Sequence, residues 1–351
     1  MARETLVFRC DANGAIGTGH VMRCLALAQA WQDAGGSALF ATAELPAGLE
    51  ARLRAEAVGL TTVKDVPGAP DDADTTIRLA QQAGAGWVVV DGDRFGVDFL
   101  RRIRESGLRV FLVDDFARWE SFPADLILNP NIGASEDDYR GLDGKVPLLL
   151  GSAYTLLRRE FTSWQAERSF GSRGASVLVT LGGSDPENLA PRIARAFAGS
   201  NSTRVMVIAG AGYEHLDELK AVSGENICAV FNPPNMTDLM HAADVAVTAA
   251  GGTLWELLYM RCAVLSYSRN PVQARVVRLV SERRAAVDLG DVDDFDAKAL
   301  LAATEKVLSS QSVREDMAIR GRQLVDGRGA TRVLGAVSKA SRIRCGTVSV
   351  R

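Results

Sequence analysis

"TLVFRCDANGAIGTGHVMRCLALAQAWQDAGGSALFAT", residues 5–42, reads as a single strand–helix–strand unit. A short apolar run (5–11) meets a glycine turn, an amphipathic stretch covers 20–34, and a second apolar run follows at 37–42. Short apolar runs alternating with longer amphipathic stretches are the rhythm of a parallel sheet flanked by helices. The rhythm continues through strands at 87–92, 109–115 and 125–130, with helical patterns at 47–57, 74–84 and 96–106. It then restarts. A second set of strands reads at 176–183, 204–212, 227–233, 245–252 and 263–268, with helices beginning near Asn188, His215, Met236, Thr253 and Asn270. Between the sets, "RREFTSWQAERSFGSRGA" (158–175) has the composition of a linker. The expected architecture is α/β, with an N-terminal Rossmann-like domain over 1–158 and a C-terminal one over 172–330. The two are expected to face each other across a cleft between the carboxyl ends of their sheets, where open α/β folds bind ligands. A last helical pattern, 331–343, is expected to pack back on the first domain.

Length and composition agree with this reading. A chain of 351 residues suits two domains of ordinary size, and 47% apolar with 24% charged residues excludes disordered and fibrous classes. A net charge of −3, without any Lys/Arg run, argues against a nucleic-acid partner. No apolar run approaches the roughly 20 residues of a membrane span. The start "MARETLVFRCD" lacks the pattern of a secretory signal, so a cytoplasmic location is expected. The five cysteines, Cys10, Cys24, Cys228, Cys262 and Cys345, are scattered and form no C-x-x-C pair, which argues against a disulfide framework or a zinc site. We expect no cofactor and no metal, and a monomer or weak oligomer.

Three strand-to-helix turns are rich in glycine: "GTGH" (17–20), "LGGSDPEN" (181–188) and "AAGGTLWE" (249–256). Glycine there allows tight turns and brings unpaired helix N–H groups close to an anion. Together the turns indicate a phosphorylated ligand. A nicotinamide dinucleotide is one alternative, since Gly17 and Gly19 follow the first strand and Glu44 lies just past the second, but Met22 occupies the third glycine position. "GAGYEH" (210–215) fails in the same way, and no Walker-type loop is present. Of the three histidines, His215 and His241 lie on ordinary helical stretches, whereas His20 stands at the mouth of a helix. The positive end of the helix dipole disfavours imidazolium, so a neutral ring able to accept a proton is expected. Asp11, at the end of the first strand, is a candidate to orient His20 or to bind sugar. "SERR" (281–284) and "RREF" (158–161) read as solvated faces, and Met22 and Cys24 as packing inward.

The segments "FRCDANGAIGTGHVMRCLALA" (8–28), "LVDDFA" (112–117), "GSAYTLLRREF" (151–161), "VLVTLGGSDPEN" (177–188), "NMTDLMHAADVAVTAAGGTLWELL" (235–258) and "DGRGATRV" (326–333) carry a resemblance over nearly the whole chain. They resemble the UDP-2,4-diacetamido-2,4,6-trideoxy-β-L-altropyranose hydrolases of pseudaminic acid biosynthesis, a route to cell-surface glycans and flagellin glycosylation, and their spore-coat polysaccharide relatives. The resemblance implies a glycosyltransferase B architecture, with UDP held chiefly by the second domain and the sugar between the two. It also implies metal-independent, inverting hydrolysis of the anomeric C–O bond. The family's catalytic histidine falls on His20, in the turn with Gly17 and Gly19. Gly251, Gly252 and Thr253 would hold the diphosphate, and Glu256 would accept hydrogen bonds from the ribose hydroxyls; Gly182, Gly183 and Ser184 remain substrate-binding candidates from their glycine-rich turn. Backbone around Asn235 and Met236 would read the uracil edge, and Asn270 and Gln273 match a sugar- and phosphate-side pattern. One motif departs: where an aromatic is expected two residues past the aspartate, the chain has Asp91-Gly92-Asp93, so an aromatic hydroxyl at the sugar side is replaced by the Asp93 carboxylate or absent, with Phe95 a candidate to fill some of the space. A glycosyltransferase with a non-water acceptor and a noncatalytic nucleotide-sugar-binding protein are the alternatives.

Overall fold

The computed structural model describes residues 4–142, 146–171, 174–200 and 202–345. Ser172 and Arg173, where the second domain was expected to start, lie outside the described residues, as does the side chain of Cys345. The chain forms two compact units: Met1–Ala12, His20–Arg159 and Gly327–Arg351 make unit 1, and Asn13–Gly19 with Glu160–Asp326 make unit 2.

Unit 1 contains strands β1 (Thr5–Cys10), β2 (Ser37–Thr42), β3 (Gly59–Thr62), β4 (Trp87–Asp91), β5 (Arg109–Val113), β6 (Leu126–Asn129) and β7 (Leu148–Leu150). They pair in parallel in the order β3-β2-β1-β4-β5-β6-β7. Helices α1 (Gly19–Asp33), α2 (Ala47–Ala55), α3 (Pro70–Gln82) and α4 (Val97–Glu105) join the first five strands, and a single turn, α5 (Arg159–Thr162), leads out. Helices cover both faces of the sheet, which is why β4 is buried throughout. Alternation still assigns each side chain a face. Leu6, Phe8, Trp87, Val89, Phe111 and Val113 share a core with Val21 and Leu25 of α1. Their neighbours Val7, Val88, Val90, Val110 and Leu112 pack with Ala73 of α3 and Leu100 of α4.

Unit 2 contains β8 (Ser176–Thr180), β9 (Arg204–Ala209), β10 (Ile227–Phe231), β11 (Val245–Ala249), β12 (Ala263–Ser268) and β13 (Ala286–Asp291). Their parallel order is β10-β9-β8-β11-β12-β13, the doubly wound order of dinucleotide-type folds. Helices α6 (Ala190–Ala196), α7 (Leu216–Ala221), α8 (Met236–Ala242), α9 (Gly252–Tyr259) and α10 (Pro271–Glu282) join successive strands, and α11 (Ala297–Leu308) and α12 (Gln311–Leu324) follow. The last helix, α13 (Gly329–Cys345), belongs to unit 1, where Val333 and Val337 enter the core and Trp87 Nε1 donates to Ser341 Oγ at 3.0 Å.

Chain order reverses beside the first strand of each sheet, between β1 and β4 and between β8 and β11. Ligands of such sheets lie outside the carboxyl ends of the strands at that reversal. Strands end earlier than the apolar runs suggest: β4 stops at Asp91, β8 at Thr180 and β11 at Ala249, because the glycine turns that follow carry apolar residues too. The strands absent from the sequence reading are β3, β7 and β13. Each ends a sheet, where one flank is open and the apolar signal is weak.

Candidate active site

In unit 1, the spacing i, i+3, i+4 places His20, Arg23 and Cys24 on one stripe of α1. Asp91, the last residue of β4, meets that stripe because it shares the parity of Trp87 and Val89. His20 Nδ1 lies 2.7 Å from Asp91 Oδ1. Arg23 grips the same carboxylate with Nε (2.6 Å, to Oδ2) and Nη2 (2.6 Å, to Oδ1). Its Nη1 and Nη2 also reach Asp115 at 2.9 and 2.8 Å, and Asn131 Nδ2 donates to Asp115 Oδ1 at 2.8 Å. The Asp91 side chain is fully buried, whereas His20 keeps 17% of its side-chain surface exposed.

Burial alone would lower the pKa of His20. The charge and hydrogen bond of Asp91 outweigh it and raise the ring above its ordinary value, with Arg23 opposing and Asp115 assisting. Burial would likewise raise Asp91, but Arg23 and His20 hold it ionised, far below the usual carboxylate range. The expected lowering of the ring's pKa by the helix dipole therefore needs correcting, since a full charge at 2.7 Å outweighs the partial charge of a helix end. When Nδ1–H is donated to Asp91, Nε2 carries the free lone pair.

Asp11 does not orient His20. Alternation along β1 puts Arg9 and Asp11 on the face away from α1, where Asp11 Oδ1 accepts from Arg9 Nη1 at 2.7 Å and from the Ala43 N–H at 2.6 Å. Its Oδ2 is buried without a hydrogen-bond partner. Arg9, itself fully buried, gives its other donors to Asp72 of α3 at 2.8 and 3.0 Å. Phe95 does not fill a sugar-side space either: it is core, with the Arg9 guanidinium 4.6 Å from its ring centroid. Asp93 is exposed, and its carbonyl accepts from Arg118 Nη2 at 2.7 Å. "RREF" is no solvated face, since Arg158 and Phe161 are buried and Arg159 Nη2 bonds Asp33 at 2.9 Å.

Unit 2 holds the other candidates. Gly17 has φ +78 and donates its N–H to Asn13 O at 3.0 Å, while Gly19 is the first residue of α1. After β8, Gly182 has φ +90, Ser184 is buried, and a Cβ on Gly183 would overlap the Thr18 side chain. Asp185 turns its carboxylate onto the N–H groups of Leu189 and Ala190 at 3.2 and 2.9 Å. Across the reversal, Gly251 precedes α9 and Gly252 begins it; no side chain caps the helix, and a Cβ on either glycine would meet nothing within 4 Å. Neither residue has a positive φ. Neither crowding nor backbone conformation requires glycine at these two positions, which leave the first-turn N–H groups without a side-chain cap. Thr253 and Glu256 follow on α9, both partly exposed.

Asn235 stands at the N-terminus of α8 without a side-chain cap, and Met236 is the first residue of that helix. Asn270 caps α10, its Oδ1 accepting from the Gln273 N–H at 2.9 Å, and Gln273 Oε1 accepts from the Arg269 N–H at 3.0 Å. Arg269 escaped the sequence reading. It ties the end of β12 to the glycine turn through Leu181 O at 3.0 Å, Asp185 at 3.3 Å and Glu187 at 2.6 Å. Arg23 and Asp115 escaped it as well, and Asp91 entered it only as part of a departing motif. Among the described residues, no group of three or more His, Cys, Asp or Glu is placed to hold a metal ion, and no helix is long and apolar enough to cross a membrane.

No protein-family model matches the chain. Among curated proteins it is 26% identical over 197 residues to an uncharacterized protein of Methanocaldococcus jannaschii, covering 53% of this chain and 41% of that one. It is 25% identical over 197 residues to the spore coat polysaccharide biosynthesis protein SpsG of Bacillus subtilis, covering 55% and 58%. It is also 25% identical over 272 residues to the UDP-2,4-diacetamido-2,4,6-trideoxy-β-L-altropyranose hydrolase of Campylobacter jejuni, covering 76% of this chain and 92% of that one. The last two are the relatives that the motifs resemble. Among solved structures, MurG of Acinetobacter baumannii superposes with a TM-score of 0.62 at 16% identity, over 96% of this chain and 99% of that one. Spinosyn rhamnosyltransferase SpnG complexed with thymidine diphosphate gives 0.64 at 16% identity, over 95% and 99%. At such identities the likeness concerns the fold, which is of the glycosyltransferase B type: two parallel-sheet α/β units of seven and six strands.

Proposed function

We propose that the protein is an enzyme of nucleotide-sugar metabolism. Within that class, it hydrolyses the anomeric C–O bond of a UDP-linked diacetamido-trideoxy sugar with inversion and without a metal. The observation that carries this reading is the His20–Asp91 pair, in which a buried, ionised carboxylate 2.7 Å from Nδ1 leaves Nε2 free to take a proton. The substrate class rests on the Campylobacter jejuni relative, whose name states that sugar nucleotide.

Glycoside hydrolysis ordinarily needs an acid for the departing oxygen and a second group for water. UDP departs readily as a stabilised anion, so backbone N–H donors at the Gly182–Ser184 and Gly251–Thr253 turns serve in place of the acid. Water attacks the anomeric carbon from the face opposite UDP, and its proton passes to His20 Nε2. The C–O bond electrons leave on the β-phosphate oxygen. Backside displacement inverts the anomeric centre.

General-base assistance contributes about 10²–10⁴-fold. His20→Asn should therefore retain UDP affinity in calorimetric titration while losing turnover by about a hundredfold or more. Near-normal turnover refutes the assignment. A second reading is supported by the fold neighbours, which include glycosyltransferases. An aspartate-held histidine would equally deprotonate an acceptor hydroxyl, and a transferase would release little UDP from the donor alone. Saturable binding without turnover would instead indicate a noncatalytic binding protein.

A further inference from the structure

The carboxylate that orients His20 is not its own. Asp91 Oδ1 accepts from His20 Nδ1 at 2.7 Å and from Arg23 Nη2 at 2.6 Å, so two donors converge on one oxygen. Arg23 Nη2 and His20 Nδ1 are consequently 3.2 Å apart. When the ring donates to Asp91, both nitrogens carry hydrogens, and the short approach is an abutment of donors and not a bond. Protonating the ring places a second positive charge against the guanidinium. Asp115 takes the other side of the guanidinium through two contacts at 2.9 and 2.8 Å and is itself steadied by Asn131 at 2.8 Å.

An unshared buried carboxylate against an imidazole stabilises the imidazolium strongly, and a base held in that form cannot accept a proton. Sharing the carboxylate with an arginine keeps the orienting hydrogen bond but weakens the pull on the proton. The groups that set the balance are Asp91 from β4, Asp115 from the segment after β5, and Arg23 on the same helix as His20; the Cys24 thiol lies 3.5 Å from Asp91 Oδ2. We propose that Arg23 is a positioning residue that divides the Asp91 carboxylate between itself and His20, leaving the imidazole oriented yet available as a base. The catalytic consequence rests on His20 being the base of the reaction proposed above, while the division of the carboxylate can be read directly.

The test is an NMR titration of the His20 ring in the full chain, labelled at histidine and assigned with His215→Gln and His241→Gln. In Arg23→Gln the His20 midpoint should rise by about one pH unit or more, and in Asp91→Asn it should fall below that of the unmodified protein. Arg23→Lys, which keeps the charge, should stay close to the parent. An Arg23→Gln midpoint that is unchanged, or that drops toward the ordinary histidine value, overturns the proposal, the drop marking an arginine that merely anchors α1. Should Arg23→Gln fail to fold, Arg23→Met, which keeps an apolar stem without the charge, serves instead: it must raise the midpoint, and an unchanged or lowered midpoint overturns the proposal. UDP release by Arg23→Gln at neutral pH should drop severalfold, by up to about tenfold for each unit of midpoint rise, and recover as pH is raised. Midpoints that move as stated in a protein that hydrolyses no UDP-sugar would sink the hydrolase reading and leave the division of the carboxylate standing.

Discussion

The imidazole of His20, raised above its ordinary value by Asp91, has two opposed pH dependences. As the proposed base it would work only when unprotonated, so kcat/KM should fall on the acid side along a limb lying above about pH 6.5. For stability the sign is reversed. The folded state binds the His20 proton more tightly than the unfolded chain, so that contribution is complete below about pH 6.5 and is lost as pH rises through the raised value. Asp91 is depressed, so its contribution is present above about pH 4 and is lost as pH falls toward its low value. Asp91→Asn should therefore move the acid limb of the rate profile below about pH 6.5 and lower the maximal rate; a limb left in place in that variant would show that Asp91 does not set the ring. His20 was legible in the sequence because a lone histidine behind a Gly-x-Gly turn is unusual. Asp91 was visible only as a departure from an expected motif. The parity of Trp87, Val89 and Asp91 puts it on a definite face, but the adjacency of β4 to β1 is a matter of strand order, which local sequence does not carry. The same limit hid the split at "DD", where Asp115 turns to Arg23 and Asp114 turns to the Tyr139 hydroxyl at 2.8 Å.

At the scale of elements, the glycine turns are the parts whose chemistry and fold can be separated. Gly252 occupies the first position of α9 with open space around it and no unusual φ, so Gly252→Ala should leave the fold intact or stabilise it by up to about 1 kcal/mol. Because the added methyl would stand over the first-turn N–H groups, the same variant should bind UDP more weakly. Thermal unfolding and calorimetric titration read the two effects independently; lost stability with unchanged affinity would assign the glycine to packing. Central strands such as β4 and β11 announced themselves as buried runs of Val and Ala. β3, "GLTT", has no buried residue and β13 alternates half-exposed residues, so neither rises above the pattern of a loop. Asn270 and Gln273 show how one pattern carries two readings, since both side chains take part in the turn that starts α10, whatever else they contact.

For the whole molecule, the βα rhythm and its restart near residue 176 were sufficient to give two parallel sheets, because a sheet covered on both faces must be built from continuous apolar strands. The grouping of Asn13–Gly19 with unit 2 has no local signal, as it depends on which segments pack together and not on composition. Unit 1 carries the imidazole and its carboxylate, and unit 2 carries the glycine turns proposed to hold UDP. The most direct test is turnover of a UDP-linked diacetamido-trideoxy sugar in heavy-oxygen water, with both products weighed by mass spectrometry. The prediction is UDP release without any added acceptor, one heavy oxygen in the free sugar and none in UDP; label in UDP, or no release until an alcohol is supplied, would contradict it.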